Sequence, residues 1–279
     1  MGGSSRTVAR KVIFCSGTAP SSAPSWDTTG AGGAATSSPA VPMPQDSTVG
    51  FFTQLCVLDG LDKVQIMQIE QQQGAPFEVD LVGLRFQRGN VDGDGGAILA
   101  STAPAGGPRL RLSMLYGSFL HNRAAHFGGA LAVGPAADVV VTTVDFFVNR
   151  AEEGGGAIAL RSAAESAATL TATDLSCQQN TAALGGAIHM QPATVFSSSL
   201  GDFRENVAAS CGDTLFMVPG SPAAPTRAEV RFQGVPPVIN DPFCDGLDAQ
   251  VRSDGAGGAC AAPPFAPGSG AVYDCTVLP

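Results

Sequence analysis

The chain has 279 residues, enough for one large domain or two ordinary ones, and carries 15 Lys and Arg against 24 Asp and Glu, a formal net charge of −9. Its 35 Gly argue against a helical bundle, since each interior Gly destabilises a helix by about 1 kcal/mol relative to Ala. Collagen is excluded because the Gly have no period of three, and a hydrophobic share of 44% excludes overall disorder. The acidic balance disfavours nucleic acid and anionic membranes as partners. What remains is a turn-rich, all-β protein.

Residues 1–45 are rich in Ser, Thr, Ala, Gly and Pro, a composition that predicts a flexible leader. Residues 46–240 form the predicted repeat region, which opens with short strand-like stretches and becomes regular from about residue 77. Residues 241–279 contain three cysteines and little apolar periodicity, so they are predicted to form a C-terminal cap or tail.

No apolar run approaches the roughly 18 residues that a spanning helix needs, so the sequence predicts no transmembrane segment. Near the N-terminus, Val12 to Cys15 is the longest apolar run after the basic residues. A signal peptide needs about 7–15 apolar residues there, so none is predicted.

The seven cysteines include no C-x-x-C pair, which counts against a zinc ribbon or a thioredoxin-like site. Four of them lie between residues 211 and 275. Two alternatives stay open at this point: disulfides in an oxidising compartment, or free buried thiols.

One block recurs along the repeat region. It consists of an alternating apolar stretch, an aromatic residue, Asn three residues later, a short polar link, and Gly-Gly-Ala with an aliphatic residue. Three copies keep this spacing, with Cys177 in the aromatic position of the third, while an earlier copy has one extra residue before its Asn and a later one decays after its Asn. The predicted structural residues are Phe86, Asn90, Gly95, Gly96, Phe119, Asn122, Gly128, Gly129, Phe146, Asn149, Gly155, Gly156, Asn180, Gly185, Gly186, Phe203 and Asn206.

The successive Asn residues are 32, 27, 31 and 26 positions apart, and a period of 20–50 residues indicates a solenoid, a propeller or an array. No segment of the repeat has a convincing helical period, which disfavours helical and leucine-rich solenoids. About 30 residues are too few for a four-stranded propeller blade. The sequence therefore predicts a single parallel β-helix of roughly six coils.

Stacking explains the residue types of the repeat. Coils one strand spacing apart, about 4.8 Å, place equivalent residues directly above one another. The Phe residues are then expected to form an interior ladder, and the Asn residues to take left-handed corner conformations and to bond from coil to coil. The paired Gly are expected to allow positive φ and close approach of neighbouring coils.

The pairing of F-x-x-N with G-G-A-[ILV] recurs in four good copies, two of which carry the changes just described, and in two weak ones. It resembles the repeats of the chlamydial polymorphic outer membrane proteins over about residues 77–240. The resemblance implies a right-handed, single-stranded parallel β-helix at a cell surface or secreted. It also implies a role in adhesion, with a host- or cell-surface protein or glycan as partner.

The densest acidic stretch holds the weak metal candidates Asn90, Asp92 and Asp94. It matches the first half of a calcium loop, with oxygen ligands at alternate positions and Gly at the sixth. The twelfth position is Ser101, where such a loop requires Glu, and no helix pattern flanks it. We therefore expect a polar corner and no metal site.

Asp145 and Asp202 each stand four residues before their Asn, so they are predicted to lie on equivalent corners two coils apart. Their expected separation of about 10 Å is slightly beyond the carboxylate spacing of inverting glycosidases. Ser118 and Ser176 are expected in the same column, which is more simply explained as a polar corner.

The histidines are His121, His126 and His189. The first two lie in one coil and could share a metal, but no acidic or cysteine residue is paired with them at a recognisable spacing, and we expect a solvated or corner role. No phosphate-binding loop, nucleophile elbow, zinc-protease motif or dinucleotide fingerprint is present. The sequence thus predicts no catalytic residue and no cofactor.

The leading hypothesis is a non-catalytic cell-surface or secreted scaffold that serves adhesion or binding. The alternatives are a carbohydrate-active β-helix enzyme, that is, a polysaccharide lyase or glycoside hydrolase, and a fragment of a larger repeat protein.

Overall fold

A computed structural model of the chain describes residues 9–14, 55–71, 76–102, 108–163, 166–218, 228–232, 238–240, 251–253 and 271–273. These residues contain strands and no helix. The strands stack as a parallel β-solenoid of about five turns, which confirms the predicted fold class.

Each complete turn contributes to three sheets, named here in the order in which the chain passes through them. The first sheet contains β1 (Ala9–Phe14), β2 (Cys56–Asp59), β4 (Phe77–Val82), β5 (Leu84–Gln87), β8 (Leu110–Leu120), β11 (Ala137–Phe147), β16 (Thr169–Gln178), β19 (Val195–Ser198), β20 (Gly201–Arg204), β23 (Glu229–Phe232), β24 (Val238–Asn240) and β26 (Ala271–Tyr273). The second sheet contains the short strands that follow the Asn corner: β6 (Asn90–Val91), β9 (Arg123–Ala124), β12 (Arg150–Ala151), β17 (Thr181–Leu184) and β21 (Val207–Cys211).

The third sheet follows the Gly-Gly pairs and consists of β3 (Met67–Gln71), β7 (Ile98–Thr102), β10 (Leu131–Val133), β13 (Ile158–Leu160), β18 (Ile188–Met190), β22 (Leu215–Met217) and β25 (Val251–Ser253). A small antiparallel hairpin, β14 (Ser162–Ala163) with β15 (Ser166–Ala167), lies between two turns. All described pairings within the three sheets are parallel except that of β23 with β26, which is antiparallel.

The interior contains the predicted aromatic ladder. The strand register aligns Phe86, Phe119, Phe146, Cys177 and Phe203, and all five side chains are buried. The first two ring pairs stack with centroids 4.9 Å and 4.6 Å apart and interplanar angles of 11° and 1°. These distances equal one strand spacing, so the coil repeat itself sets the ring stacking.

The Asn residues form the second predicted ladder, but the corner conformation belongs to another residue. In each coil the residue immediately before the ladder position has φ between 52° and 55°, namely Arg88, His121, Val148, Gln179 and Glu205. The expectation that Asn itself takes the left-handed conformation is therefore wrong. Asn instead points inward, and its amide bonds to the neighbouring coils.

The earliest copy of the repeat needs a second correction. Asn90 does not belong to the ladder: the register pairs it with Arg123, and Gly89 lies opposite Asn122. The backbone N–H of Gly89 donates to Oδ1 of Asn122 at 2.8 Å. The copy therefore has no inserted residue, and a glycine replaces its Asn.

The Gly-Gly pairs divide the two predicted roles between their members. The first Gly of each described pair has positive φ, as in Gly128 and Gly155, both at 68°. The second allows close approach, because a Cβ on Gly96 would lie 2.2 Å from the carbonyl oxygen of Gly129. A side chain at either position would disturb the fold, for different reasons.

One segment of the predicted leader is among the described residues. Residues 9–14 form β1, which extends the first sheet by pairing in parallel with Phe77–Val82. The rest of the leader lies outside the described residues, as does most of the predicted tail, from which only β25 and β26 are described.

Candidate functional site

The first sheet presents a column of polar side chains on its outer face. The register places Asp145 between Ser118 and Ser176, and Asp202 follows Ser176. The prediction that Asp145 and Asp202 lie in equivalent positions two coils apart is confirmed. At one strand spacing per coil their separation is about 10 Å.

A second column lies two residues further along the same strands. It contains Leu120, Phe147, Gln178 and Arg204, of which the first three are partly exposed and Arg204 is exposed. Members of these two columns, together with the neighbouring Asp174, form a surface that we call the Asp145 face; its residues are Asp145, Phe147, Asp174, Ser176, Gln178, Asp202 and Arg204.

Hydrogen bonds connect most of the Asp145 face. Nε2 of Gln178 donates to Oγ of Ser176 at 3.1 Å and to Oδ2 of Asp202 at 3.4 Å. Nε of Arg204 donates to Oδ1 of Asp202 at 2.6 Å, and Ser176 in turn hydrogen-bonds Asp145. The charge of Asp202 is thus balanced by Arg204, whereas among the described residues the hydrogen-bond partner of Asp145 is the Ser176 hydroxyl.

This environment raises the pKa of Asp145 to about 6. The main cause is burial, and the negative charges of Asp174 and Asp202 add to it, while the hydrogen bond from Ser176 acts in the opposite direction. A carboxyl group with a strongly perturbed pKa on an otherwise solvated surface is a candidate functional residue.

A left-handed corner positions Asp174. It has φ 58° and aligns with Gly83, Tyr116 and Thr143, which also have positive φ. Asp is one of the few non-glycine residues that tolerate this conformation. The corner leaves Asp174 exposed, one coil from Asp145, where its charge acts on that carboxyl group.

Protein partners surround the weak metal candidates. Nδ2 of Asn90 donates to the carbonyl of Asp62 at 3.0 Å. Oδ1 of Asp94 accepts from the N–H of Phe127 at 3.1 Å, and Oδ2 pairs with Arg161. Across the described ranges, the structure groups no three or more His, Cys, Asp and Glu side chains that could hold a metal ion.

The three histidines differ in their surroundings. His121 is exposed at a left-handed corner, and Nδ1 of His126 lies 2.6 Å from Oε1 of Glu153, which raises the pKa of this exposed imidazole. His189, in contrast, is 2% exposed. The prediction of a solvated or corner position is therefore wrong for His189.

His189 is buried because the outer face of the third sheet carries an aromatic cluster. Its ring centroid lies 5.0 Å from that of Phe127 and 5.6 Å from that of Phe216. Gly154 lies beside the rings of His189 and Phe127. A Cβ on this residue would be 2.7 Å from the His189 ring, so a side chain here would clash with the cluster. Arg161 covers Phe127 with its guanidinium carbon 5.1 Å from the ring centroid.

Acid is expected to destabilise the protein through His189. Burial, together with the charge of Arg161, lowers the pKa of His189 from 6.5 to about 4. Between these values the unfolded chain binds more protons than the folded one, so stability falls as the pH falls from about 7 to 4. The charging of His189 changes the free energy of unfolding by about 3 kcal/mol at most. The change is measurable as a shift of the urea unfolding midpoint across this pH range.

His189→Phe keeps an aromatic ring in the cluster and is expected to remove this contribution, whereas His121→Asn at an exposed corner is expected to keep it. Equal pH dependence of the wild type and His189→Phe would contradict the assignment.

Both alternatives left open for the cysteines, a disulfide and a free buried thiol, occur among the described residues. Cys56 is disulfide-bonded, and Cys177 is a free thiol buried in the aromatic ladder. Burial raises the pKa of Cys177 well above its ordinary value, with smaller contributions from Asp145 and Asp202. A thiol of this kind is an unreactive core residue.

Two residues beside the candidate groups carry no signal in the repeat motif. Asp174 lies outside the repeat motif, and only its position two residues before Ser176 could have suggested it. Arg161 pairs with Asp94 across 67 positions of sequence, and no periodic signal points to that contact.

Comparison of the chain with family models, with curated proteins and with solved structures finds no match. Within the part of the chain that the structure describes, no helix is sufficiently long and apolar to cross a membrane.

Proposed function

We propose that the protein is a non-catalytic cell-surface or secreted scaffold that binds a surface protein or glycan through the outer faces of its solenoid. The observation that carries this proposal is the arrangement of side chains on the first sheet: its interior side is filled by packed apolar ladders, and its outer side presents polar side chains in columns at one-coil spacing. A solenoid of this kind offers an extended, rigid surface for recognition.

Two further points support the location and the role. Cys56 is disulfide-bonded, and persistent disulfides are typical of oxidising compartments outside the cytosol. The repeat motif resembles that of surface proteins with a role in adhesion. We also expect a right-handed coil, the sense that connections between parallel strands almost always have.

Within this proposal the Asp145 face is the first candidate for contact with a partner. It combines a partly exposed aromatic ring, Phe147, with the hydrogen-bonding groups of Gln178, Asp202 and Arg204. Aromatic side chains and Arg are enriched where proteins recognise partners. Burial and like charges also disfavour the ionised form of the Asp145 carboxyl group, and a perturbation of this kind is typical of functional positions.

The test is binding of the purified chain to immobilised glycans and to intact cells. We expect measurable binding that falls tenfold or more in Phe147→Ser, which removes the aromatic ring from the face. Arg150→Ser, an exposed change on the second sheet, is the matched control and is expected to bind like the wild type. Absence of binding to every surface, or equal loss in both variants, would contradict the proposal for this face.

A carbohydrate-active enzyme is the second candidate function, and Asp145 is the observation that favours it. A carboxyl group with a pKa of about 6 can act as a general acid near neutral pH, with Asp202 as the second carboxylate. Against it stands the separation of about 10 Å, slightly more than inverting glycosidases use. Release of reducing or unsaturated ends from acidic or neutral polysaccharides, abolished by Asp145→Asn, would replace the scaffold proposal with this one.

A further inference from the structure

The described residues contain one half of a disulfide whose other half is not among them. Cys56, the first residue of β2, is disulfide-bonded, whereas Cys177 is a free thiol and is excluded as its partner. Cys56 is in register with Leu84, and its backbone N–H donates to the carbonyl of Gly83 at 3.0 Å. These contacts fix the place of Cys56 in the first described coil, so the partner must be a cysteine that can reach this point.

Strand β1 ends beside Cys56 in the same coil. Its last residue, Phe14, is in register with Val82, and Cys56 is in register with Leu84, so their Cα atoms are about 6–7 Å apart. The residue after Phe14 in the sequence is Cys15. Cys15 lies outside the described residues, but its peptide bond to Phe14 limits its Cα to about 3.8 Å from that of Phe14. A disulfide joins Cα atoms about 4.4–6.8 Å apart, so this cysteine is within reach.

The other cysteines are tied to the opposite end of the solenoid. Each lies in β21, β24, β25 or β26, or follows one of these strands by at most seven residues; they are Cys211, Cys244, Cys260 and Cys275. The register places those strands five or more coils from the first coil, about 24 Å or more. An extended chain spans at most about 3.6 Å per residue. Only Cys260 could come near Cys56, and only with all seven intervening residues fully extended along the solenoid.

We propose that Cys56 is bonded to Cys15, and that this disulfide is a redox-sensitive link that holds β1 on the first coil. β1 lies at the edge of the first sheet, where its described pairing is with β4. The bond joins the end of β1 to the start of β2 across the corner at Gly83, which has φ 68°. It also closes the chain between the two cysteines into a loop, which restricts the unfolded chain and stabilises this end of the solenoid.

The bond forms by exchange with a low-molecular-weight disulfide such as glutathione disulfide. The thiols of Cys15 and Cys56 lose two protons and two electrons in forming the S–S bond, and the small disulfide accepts them and becomes two thiols. A dithiol reductant reverses the exchange. β1 is then held by its backbone hydrogen bonds to β4 and by the packing of Ile13 against the core. The link requires no ligand, so it is independent of the proposed binding function.

Peptide mapping of the full chain, oxidised with glutathione disulfide and digested without reduction, tests the pairing directly. Trypsin with an aspartate-specific protease separates the two cysteines, because Asp27 and Asp46 lie between them. We expect the peptide that contains Cys15 to be joined to the peptide that contains Cys56, and a reductant to separate them. A bond from Cys56 to any other cysteine, or a free Cys56 thiol in the oxidised protein, overturns the proposal.

Amide hydrogen exchange measures whether the bond holds β1. In Cys15→Ser we expect the amides of residues 9–14 to exchange about tenfold faster or more than in the wild type, with no further change on addition of reductant. Reduction of the wild type is expected to give the same acceleration. Cys275→Ser is the control and is expected to keep the slow exchange of β1. Equal exchange in Cys15→Ser and the oxidised wild type overturns the holding role. If Cys15→Ser fails to fold, the oxidised and reduced wild type decide in the same way.

Discussion

Gly129→Ala is expected to destabilise the protein by about 4 kcal/mol or more. A Cβ on Gly129 would lie 2.1 Å from the carbonyl oxygen of Gly156 in the next coil and 2.5 Å from the backbone carbonyl of Arg150. Both contacts are with backbone atoms, which cannot rotate away as a side chain can. The two coils would have to separate locally and lose the hydrogen bond from the N–H of Gly129 to the carbonyl of Gly155, now 2.9 Å.

The effect is steric and does not come from glycine's conformational freedom, because Gly129 has no positive φ; that role belongs to Gly128. Urea unfolding followed by far-ultraviolet circular dichroism measures the loss. Since domains of this size are stable by only about 5–15 kcal/mol, we expect a large shift of the midpoint.

Gly93→Ala is the matched control. The nearest atom to a Cβ on Gly93 is Cγ2 of Val91 at 3.7 Å, an ordinary van der Waals contact. We expect this variant to unfold within about 0.5 kcal/mol of the wild type, as surface substitutions usually do. Similar midpoints for Gly129→Ala and Gly93→Ala would show that the coils are not held at the described distance.

The steric constraint at Gly129 repeats along the chain, and this repetition is why the fold could be predicted from one sequence. In a solenoid, equivalent residues of successive coils have the same environment, so each constraint is repeated along the chain. The interior position of Phe119 recurs as Phe146, and the steric constraint at Gly129 recurs at Gly156. Four repetitions of a pattern carry the information that an alignment of homologues would otherwise supply.

Where the repeat is imperfect, its pattern predicts less well. An Asn near the expected position predicts Asn90 in the ladder, yet hydrogen bonding between coils places Gly89 there. The residue type at one position is a weaker constraint than the register of two whole strands. Register depends on the alternation of all inward and outward side chains, and a one-residue slip would turn every one of them to the other face.

Of the candidate site, the sequence predicts the polar column on the first sheet but not the environment of its side chains. Alignment of Asp145 with Asp202 follows from the period alone, but the raised pKa depends on burial and on Asp174. Burial of His189 likewise depends on Phe127, two coils away, and on the absence of a side chain at Gly154. Such contacts join non-equivalent positions, and a repeat motif contains no information about them.

Asn149→Ala is expected to destabilise the protein by about 3–4 kcal/mol, because removal of one buried partner leaves other polar groups without hydrogen bonds. Oδ1 of Asn149 accepts both from the backbone N–H and from Nδ2 of Asn122, each at 3.0 Å. Its Nδ2 donates to the carbonyl of Phe119 at 3.1 Å and to Oδ1 of Asn180 at 3.0 Å. All of these groups are buried.

The expected loss of stability in Asn149→Ala is smaller than the sum for four separate hydrogen bonds. Nδ2 of Asn122 keeps its bond to the carbonyl of Phe86, and Oδ1 of Asn180 keeps the backbone N–H of residue 149. The backbone N–H of Asn122 loses the partner described for it and is shielded from water. An uncompensated buried donor of this kind costs about 1–3 kcal/mol, and loss of the amide's own packing adds to it.

Asn149→Asp separates the accepting role of the amide from its donating role. The carboxylate has nearly the same shape and can accept from Asn122, but it cannot donate, and it would face Oδ1 of Asn180 and the carbonyl of Phe119. We expect it to be at least as destabilising as Asn149→Ala at pH 7, with recovery as the pH falls and the carboxyl group is protonated. Asn90→Ala, whose partly exposed amide donates one bond to Asp62, is the control and is expected to change stability by less than about 1 kcal/mol.

The ladder also makes a prediction that a set of independent bonds does not. Asn149 and Asn180 share a hydrogen bond, and Oδ1 of each accepts from the backbone N–H of the Asn one coil earlier. Each single change leaves a polar group of the other amide without its partner. Replacement of both residues removes those polar groups as well. The double variant Asn149→Ala with Asn180→Ala is therefore expected to lose about 1–2 kcal/mol less than the sum of the single losses, the size of coupling found for contacting residues. Urea midpoints of the four proteins measure this coupling, and strict additivity would show that the amides act on their own coils alone and do not tie the coils together.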